Sequence, residues 1–325
     1  MDTLIRFLLH PQTAFAHERW FLDDQKLQVL KTAPPQMSEV PDAVYFWTFA
    51  TATLLFFLAV ALDLHLAKNK YAKNLANNLS KHTSWIAPIV RVTTGFVLIF
   101  SALESRIFAP DLRPVFPLLI AIEMLVGLCL LVGFMTRGAS LVGILLYLSA
   151  LIVLPVTDVL QYAVFAGIFI YLLITGDEAV PGQKHWWPFR HKSILKFFEK
   201  YRAYALPIAR IFFGFSLAFV ALMNKLIFPQ FATAFLEIQP ANFMSFLGVS
   251  NGCFVLIAGL VELLLGLLIV LGCLPRMVGF MLIFSFTITL LAFGPLELVG
   301  HLPLYALAFA LLVNGAREKL SLTFG

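Results

Sequence analysis

Runs of about twenty apolar residues, following one another from residue 43 to residue 315, constrain this chain more than any other feature. A bilayer core about 30 Å thick takes about 20 helical residues to cross. Nine segments fit that length: 43 to 67, 86 to 104, 115 to 135, 138 to 155, 159 to 175, 206 to 224, 254 to 274, 277 to 293 and 297 to 315. Several are parted only by Pro or Gly, as at Arg137-Gly138, Leu154-Pro155, Pro275-Arg276 and Gly294-Pro295, which are turn signals for helical hairpins. Only 13% of residues are charged, against roughly a quarter in soluble domains. The chain therefore reads as an all-α polytopic membrane protein.

Charge then gives an orientation. With nine spans, sixteen of the 23 Lys and Arg residues fall on one side: the 68 to 81 loop, the 177 to 205 loop, Arg91, Arg210, Arg137, Arg276 and the tail residues Arg317 and Lys319. Seven fall on the other, including Arg6, Arg19, Arg106, Arg113 and Lys225. The positive-inside rule makes the first side cytoplasmic and puts the N-terminus outside. The net charge of +5 is scattered over loops and forms no basic face, so no nucleic-acid partner is expected. MDTLIRFLLHPQ carries no small-residue cleavage site, which leaves targeting to the first span.

The chain also repeats itself. PIVRVTTGFVLIFSALESR (88 to 106) aligns without gaps on PIARIFFGFSLAFVALMNK (207 to 225), with nine identities in nineteen positions. AIEMLVGLCLLVGFMTR (121 to 137) aligns on LVELLLGLLIVLGCLPR (260 to 276), keeping Glu, two Gly and Arg in register. The offset grows from 119 to 139, so the second copy has about twenty extra residues in its outer loop. Two tandem four-helix bundles result, at 86 to 176 and 206 to 315. Each copy has an even number of spans, so the expected relation is a parallel pseudo-two-fold along the membrane normal. The rest divides into an outer interfacial segment (1 to 42), an extra transmembrane helix (43 to 67), a cytoplasmic connector (177 to 205) and a cytoplasmic tail (316 to 325). The insert at 229 to 250 is expected to form an outer amphipathic helix over the second bundle.

A carboxylate within a bilayer is expensive and usually marks a function, and here two occur at matching positions, Glu123 and Glu262. Gly127 and Gly266 stand one turn deeper on the same faces and allow a ligand or another helix to approach closely. Arg137 and Arg276 lie about 21 Å further along their helices and are expected to anchor at the cytoplasmic headgroups. Asn224, Lys225, Glu297 and His301 converge at the outer mouth of the second bundle, and Glu104, Arg106, Asp158 and Gln161 hold comparable places in the first. Acid, amine and imidazole together suit proton handling or anion binding; the alternative is that both glutamates are protonated acids making interhelical hydrogen bonds. Cys129, Cys253 and Cys273 form no Cys-x-x-Cys pair and read as packing residues. Phosphate-loop, zinc-protease and nucleophile-elbow motifs are absent, and no metal site is expected.

In its four-span unit the chain resembles the DoxX/DoxD-like family of bacterial membrane proteins. The residues that carry the resemblance are Arg91, Gly95, Arg106, Glu123, Gly127, Gly133 and Arg137, then Arg210, Gly214, Lys225, Glu262, Gly266, Gly272 and Arg276, with His301 as the polar residue of a fourth span. The resemblance implies a bacterial inner-membrane protein in a quinone-linked or other redox role, including sulfur-compound oxidation, with peripheral enzyme subunits as partners. On that footing Glu262, His301, Lys225 and Glu123 are the candidate catalytic residues, while Gly266, Gly127, Asn224, Arg106 and Glu297 are candidates for holding a quinone that enters from membrane lipid, or a small anionic substrate. Two other classes stay open: a proton-coupled transporter or small-solute or metal-binding protein using the paired glutamates, and a structural partner acting through the 177 to 205 loop.

Overall fold

The computed structural model describes residues 25–26, 29–30, 40–109, 112–113, 116–176, 192–239, 241–294 and 296–315, without the side chains of 192–195 and 296–299. Most of the 1 to 42 segment, the first part of the connector and the 316 to 325 tail lie outside the described residues. Those described form helices and no strand: α1 (Asp42–Leu66), α2 (Lys70–Leu79), α3 (Ile86–Leu103), α4 (Pro117–Val132), α5 (Thr136–Val153), α6 (Val156–Leu160), α7 (Ala163–Thr175), α8 (Lys192–Ala221), α9 (Gln230–Ile238), α10 (Asn251–Leu271), α11 (Pro275–Phe293) and α12 (Leu296–Asn314). Six stretches are long and apolar enough to cross a membrane: Asp42–Leu66, Lys70–Leu103, Thr136–Val153, Lys196–Ile227, Asn251–Leu271 and Pro275–Phe293. Three shorter apolar helices are Pro117–Val132, Ala163–Thr175 and Gly300–Asn314. The protein is a helical, multi-pass membrane protein.

Two segments read as loops are helical. Residues 70 to 79 form α2, where the Asn69 side chain accepts from the Tyr71 and Ala72 amides and so satisfies two free donors of the first turn. A 3₁₀ stretch, Ser80–Trp85, leads from it into α3. At the connector, α8 already begins at Lys192 and runs 30 residues, with Pro207 inside it. Its sequence match Pro88 sits instead in the first turn of α3, where a missing N–H costs nothing.

Matched motif residues make matched contacts. A Cβ on Gly95 would lie 2.8 Å from the Gly127 carbonyl oxygen, and one on Gly214 would lie 2.6 Å from that of Gly266. Only glycine lets α3 cross α4, and α8 cross α10, backbone to backbone. Arg91 donates to the Leu130 and Leu131 carbonyls, and Arg210 to those of Ile269 and Val270; these are last-turn carbonyls, of which Leu130 and Ile269 also accept the capping Gly133 and Gly272 amides. Gly133 and Gly272 then end α4 and α10 with left-handed backbones (φ 81° and 73°), the usual way to stop a helix. Met135 and Leu274 follow at φ 48° and 47°, so the 139-residue offset carries on into α5 and α11.

Arg137 and Arg276 do not reach for headgroups as expected. Arg137 is buried and donates to the Leu173 carbonyl at 3.2 Å, with its guanidinium 4.9 Å from the Phe198 ring. Arg276 donates to the Asn314 carbonyl at 3.0 Å. Arg137 thus closes the C-terminal end of α7 and Arg276 that of α12, where a cation also meets the negative end of the helix dipole.

Helices pair as α3 with α4, α5 with α7, α8 with α10, and α11 with α12. Contacts of α7 with α8 and of α12 with α3 join the halves. Outside them lies α1, apolar on every side and buried only at Asp63, as suits a helix in lipid. It packs along α10, and Asp63 accepts the Leu274 amide at 2.8 Å.

Candidate functional site

The second half departs from the first where α8 ends. Instead of stopping, the chain passes through a π-helical turn, Leu222–Ile227, a feature found mostly as single turns at functional sites. The wider turn aims two polar side chains at different partners. Asn224 is buried and donates to the Gln161 side-chain oxygen at 3.0 Å, while Lys225 donates to the Glu262 carboxylate. The extra residues that follow form α9, which packs on the π turn and on α10. Lys26 pairs with Glu237 of α9 at 3.3 Å, at this same end of the protein.

Beneath α9 lies a cavity of about 840 Å³, within the size range of small-molecule sites. Its walls are apolar, with Val97, Phe213, Val261, Leu265 and Leu282 among them. Its polar groups come from both halves: Ser101, Glu104 and Arg106 from the end of α3, Gln161 from the turn before α7, and Lys225, Glu262 and His301 from the second half. His301 is buried, and its ring lies 4.7 Å from that of Phe286 on α11. Ser216 of α8 donates to the Gln161 backbone carbonyl, which fixes the turn carrying the Gln161 side chain. The Ser101 hydroxyl is buried and makes no hydrogen bond.

Lys225, Glu262, His301 and Arg106 thus line one cavity, and Asn224 holds Gln161 of the same wall. Glu123 is not among them. It is fully buried within the first half, where it accepts the Phe108 amide at 2.7 Å. Gly127 and Gly266 are used up by the helix crossings, which corrects their assignment to a cofactor. The Glu297 side chain lies outside the described residues. Depth differs as well: Glu123 stands about 9 Å from the start of α4 and Glu262 about 16 Å from the start of α10, at 1.5 Å per residue. The matching positions thus differ in depth along their helices because α10 has extra turns at its N-terminal end.

Three cavity-edge residues went unnoticed in the sequence. Ser101 lies one turn before Glu104 on α3, and this spacing was legible. Phe286 sits in an aromatic-rich stretch and Phe108 in the turn after α3, and neither place offers such a signal. The cavity's chemistry fits a quinone: apolar walls suit a ring and prenyl chain, and Ser101, Gln161, Lys225, Glu262 and His301 offer donors and acceptors to ring oxygens.

Fold and site define a multi-pass helical membrane protein with a ligand-sized cavity lined from both sequence halves. Set against known proteins, the chain matches no family model, no curated protein and no solved structure.

Proposed function

We propose that the protein binds a quinone in this cavity as a membrane oxidoreductase or as a subunit of one. The observation that carries the proposal is the Lys225–Glu262 pair set, with His301, in the wall of an otherwise apolar chamber. Chemically, a bound quinone supplies a two-electron, two-proton acceptor. The chain's own residues answer that need. As a carboxylate balanced by Lys225, Glu262 is placed to accept a proton or a hydrogen bond, and His301 stands in the same wall as a second group able to exchange a proton.

The same proposal includes the DoxX/DoxD-like resemblance and its bacterial inner-membrane setting. Adding the three shorter apolar helices to the six long ones gives nine spans, with the N-terminus outside. The matched Arg and Gly contacts support two parallel four-helix repeats about a pseudo-two-fold axis. Against this, four of the sixteen cytoplasmic cations, Arg91, Arg137, Arg210 and Arg276, bind carbonyls; the remaining twelve still outnumber the seven opposite.

To test it, the protein in lipid nanodiscs is titrated with short-chain ubiquinone and menaquinone analogues. Saturable binding is expected, weakened about tenfold by His301→Leu. Folded protein that binds neither analogue would sink the proposal.

A further inference from the structure

The matched carboxylates are satisfied in different ways, and the difference outlines a ligand. After α3 the first half turns inward. Ser105 and Phe108 take left-handed backbones (φ 56° and 59°), which residues other than glycine rarely adopt and which cost about 1–3 kcal/mol each. The turn sinks Ile107, Phe108 and Ala109 into the bundle. It hands the Phe108 amide to Glu123 and sets the Phe108 ring 5.8 Å from Tyr147 of α5 and 5.2 Å from Phe165 of α7.

In the second half the chain leaves α8 outward, through the π turn and α9. Side chains of α9 and of the stretch after it, Phe235, Leu236 and Phe243 among them, line the cavity wall. At the 139-residue offset Tyr147 matches Phe286, and Phe286 faces the cavity together with Glu262. His301 and Tyr305 of α12 flank Phe286 at 4.7 and 5.4 Å. Where Glu123 and Tyr147 meet Phe108, Glu262 and Phe286 face the cavity.

We infer that the cavity takes a planar aromatic ring bearing a hydroxyl, laid against Phe286 with the hydroxyl donated to Glu262, where the first half uses its own Phe108 ring and amide. A carboxylate has about four lone-pair sites, so Glu262 accepts this bond while still paired with Lys225. The buried, unpartnered Ser101 hydroxyl at the cavity wall serves a second polar substituent on the ring. The inference rests on the cavity being a ligand site, and it narrows the proposed quinone to its reduced, hydroxyl-bearing form.

The test is a titration in nanodiscs with 2-naphthol, with 2-methoxynaphthalene, which lacks the donor, and with decanol, which lacks the ring. One site per chain is expected, taking 2-naphthol about tenfold more tightly than either comparison compound. Glu262→Leu combined with Lys225→Met should erase the preference over the ether. Equal binding of all three compounds overturns the inference even where a quinone binds. If 2-naphthol is preferred but no quinone analogue competes with it, the quinone proposal falls and the inference stands. Should no compound bind to protein that unfolds cooperatively, both fall.

Discussion

Arg210 donates to the Ile269 carbonyl at 2.5 Å and to the Val270 carbonyl at 3.0 Å, tying the first helix of the second half to the end of its partner. The guanidinium is almost completely buried, and a lysine cannot span two carbonyls in its place. Arg210→Met is therefore expected to destabilise the protein by about 1–3 kcal/mol, and Arg210→Lys by nearly as much. Thermal unfolding in detergent reads both; a variant as stable as the parent would show that this clasp is dispensable.

Glycine-to-valine changes at the crossings should be costly at either copy. A side chain at Gly127 or Gly266 meets backbone atoms, which cannot swing away. Overpacking of this kind costs about 1–3 kcal/mol, so Gly127→Val and Gly266→Val should both lower the unfolding temperature. A loss at one site with none at the other would refute the equivalence of the crossings.

Glu123 is expected to matter as an acceptor and not as a charge. Glu123→Gln keeps an oxygen for the Phe108 amide, whereas Glu123→Leu strands a buried donor at a cost of about 1–3 kcal/mol. The ordering parent, Gln, Leu in chemical denaturation checks this. Leu at parity with Gln would mean that the amide finds another partner.

Lys225 and Glu262 should be coupled. Glu262 is about a third exposed (32%) and Lys225 is 12% exposed, so the pair is worth less than a fully buried one. A double-mutant cycle with Lys225→Met and Glu262→Leu should return about 0.5–3 kcal/mol of coupling, with the double variant more stable than the less stable single one. Strict additivity would show that the contact contributes nothing to folding.

Topology can be read with single cysteines in a background lacking Cys129, Cys253 and Cys273. Asn74→Cys on α2 and Ser245→Cys beyond α9 are both exposed positions, and the proposed orientation puts them on opposite sides. An impermeant maleimide added to intact cells should label Ser245→Cys alone. Labelling of Asn74→Cys alone would invert the protein.

Much of this was written in the sequence wherever polar or small residues interrupt apolar runs. Arg91, Gly95, Glu123 and Gly127 are unfavourable in lipid without a partner, so their recurrence at one spacing pointed to paired helices before any coordinates. What the spacing could not say was which partner each residue takes. Arg137 looked like a headgroup anchor because a helix end and a membrane surface both attract cations. The cavity spanning both halves was hidden for a different reason: lipid and protein interior are equally apolar, so a membrane helix shows no face that declares its neighbour. Phe108 stayed invisible because its importance comes from a backbone turn, and SRIFAPDLRP carries no glycine to announce one.

Asp63 meets Leu274 across 211 residues of chain. At about 5–20 residues per second of synthesis, the first membrane helix waits roughly 10–40 seconds before its docking partner exists. During that interval its carboxylate has only headgroups and water for company, and α1 is held in the bilayer by its apolar surface alone. A helix made early is thus placed late, when the α10–α11 turn arrives to receive its carboxylate.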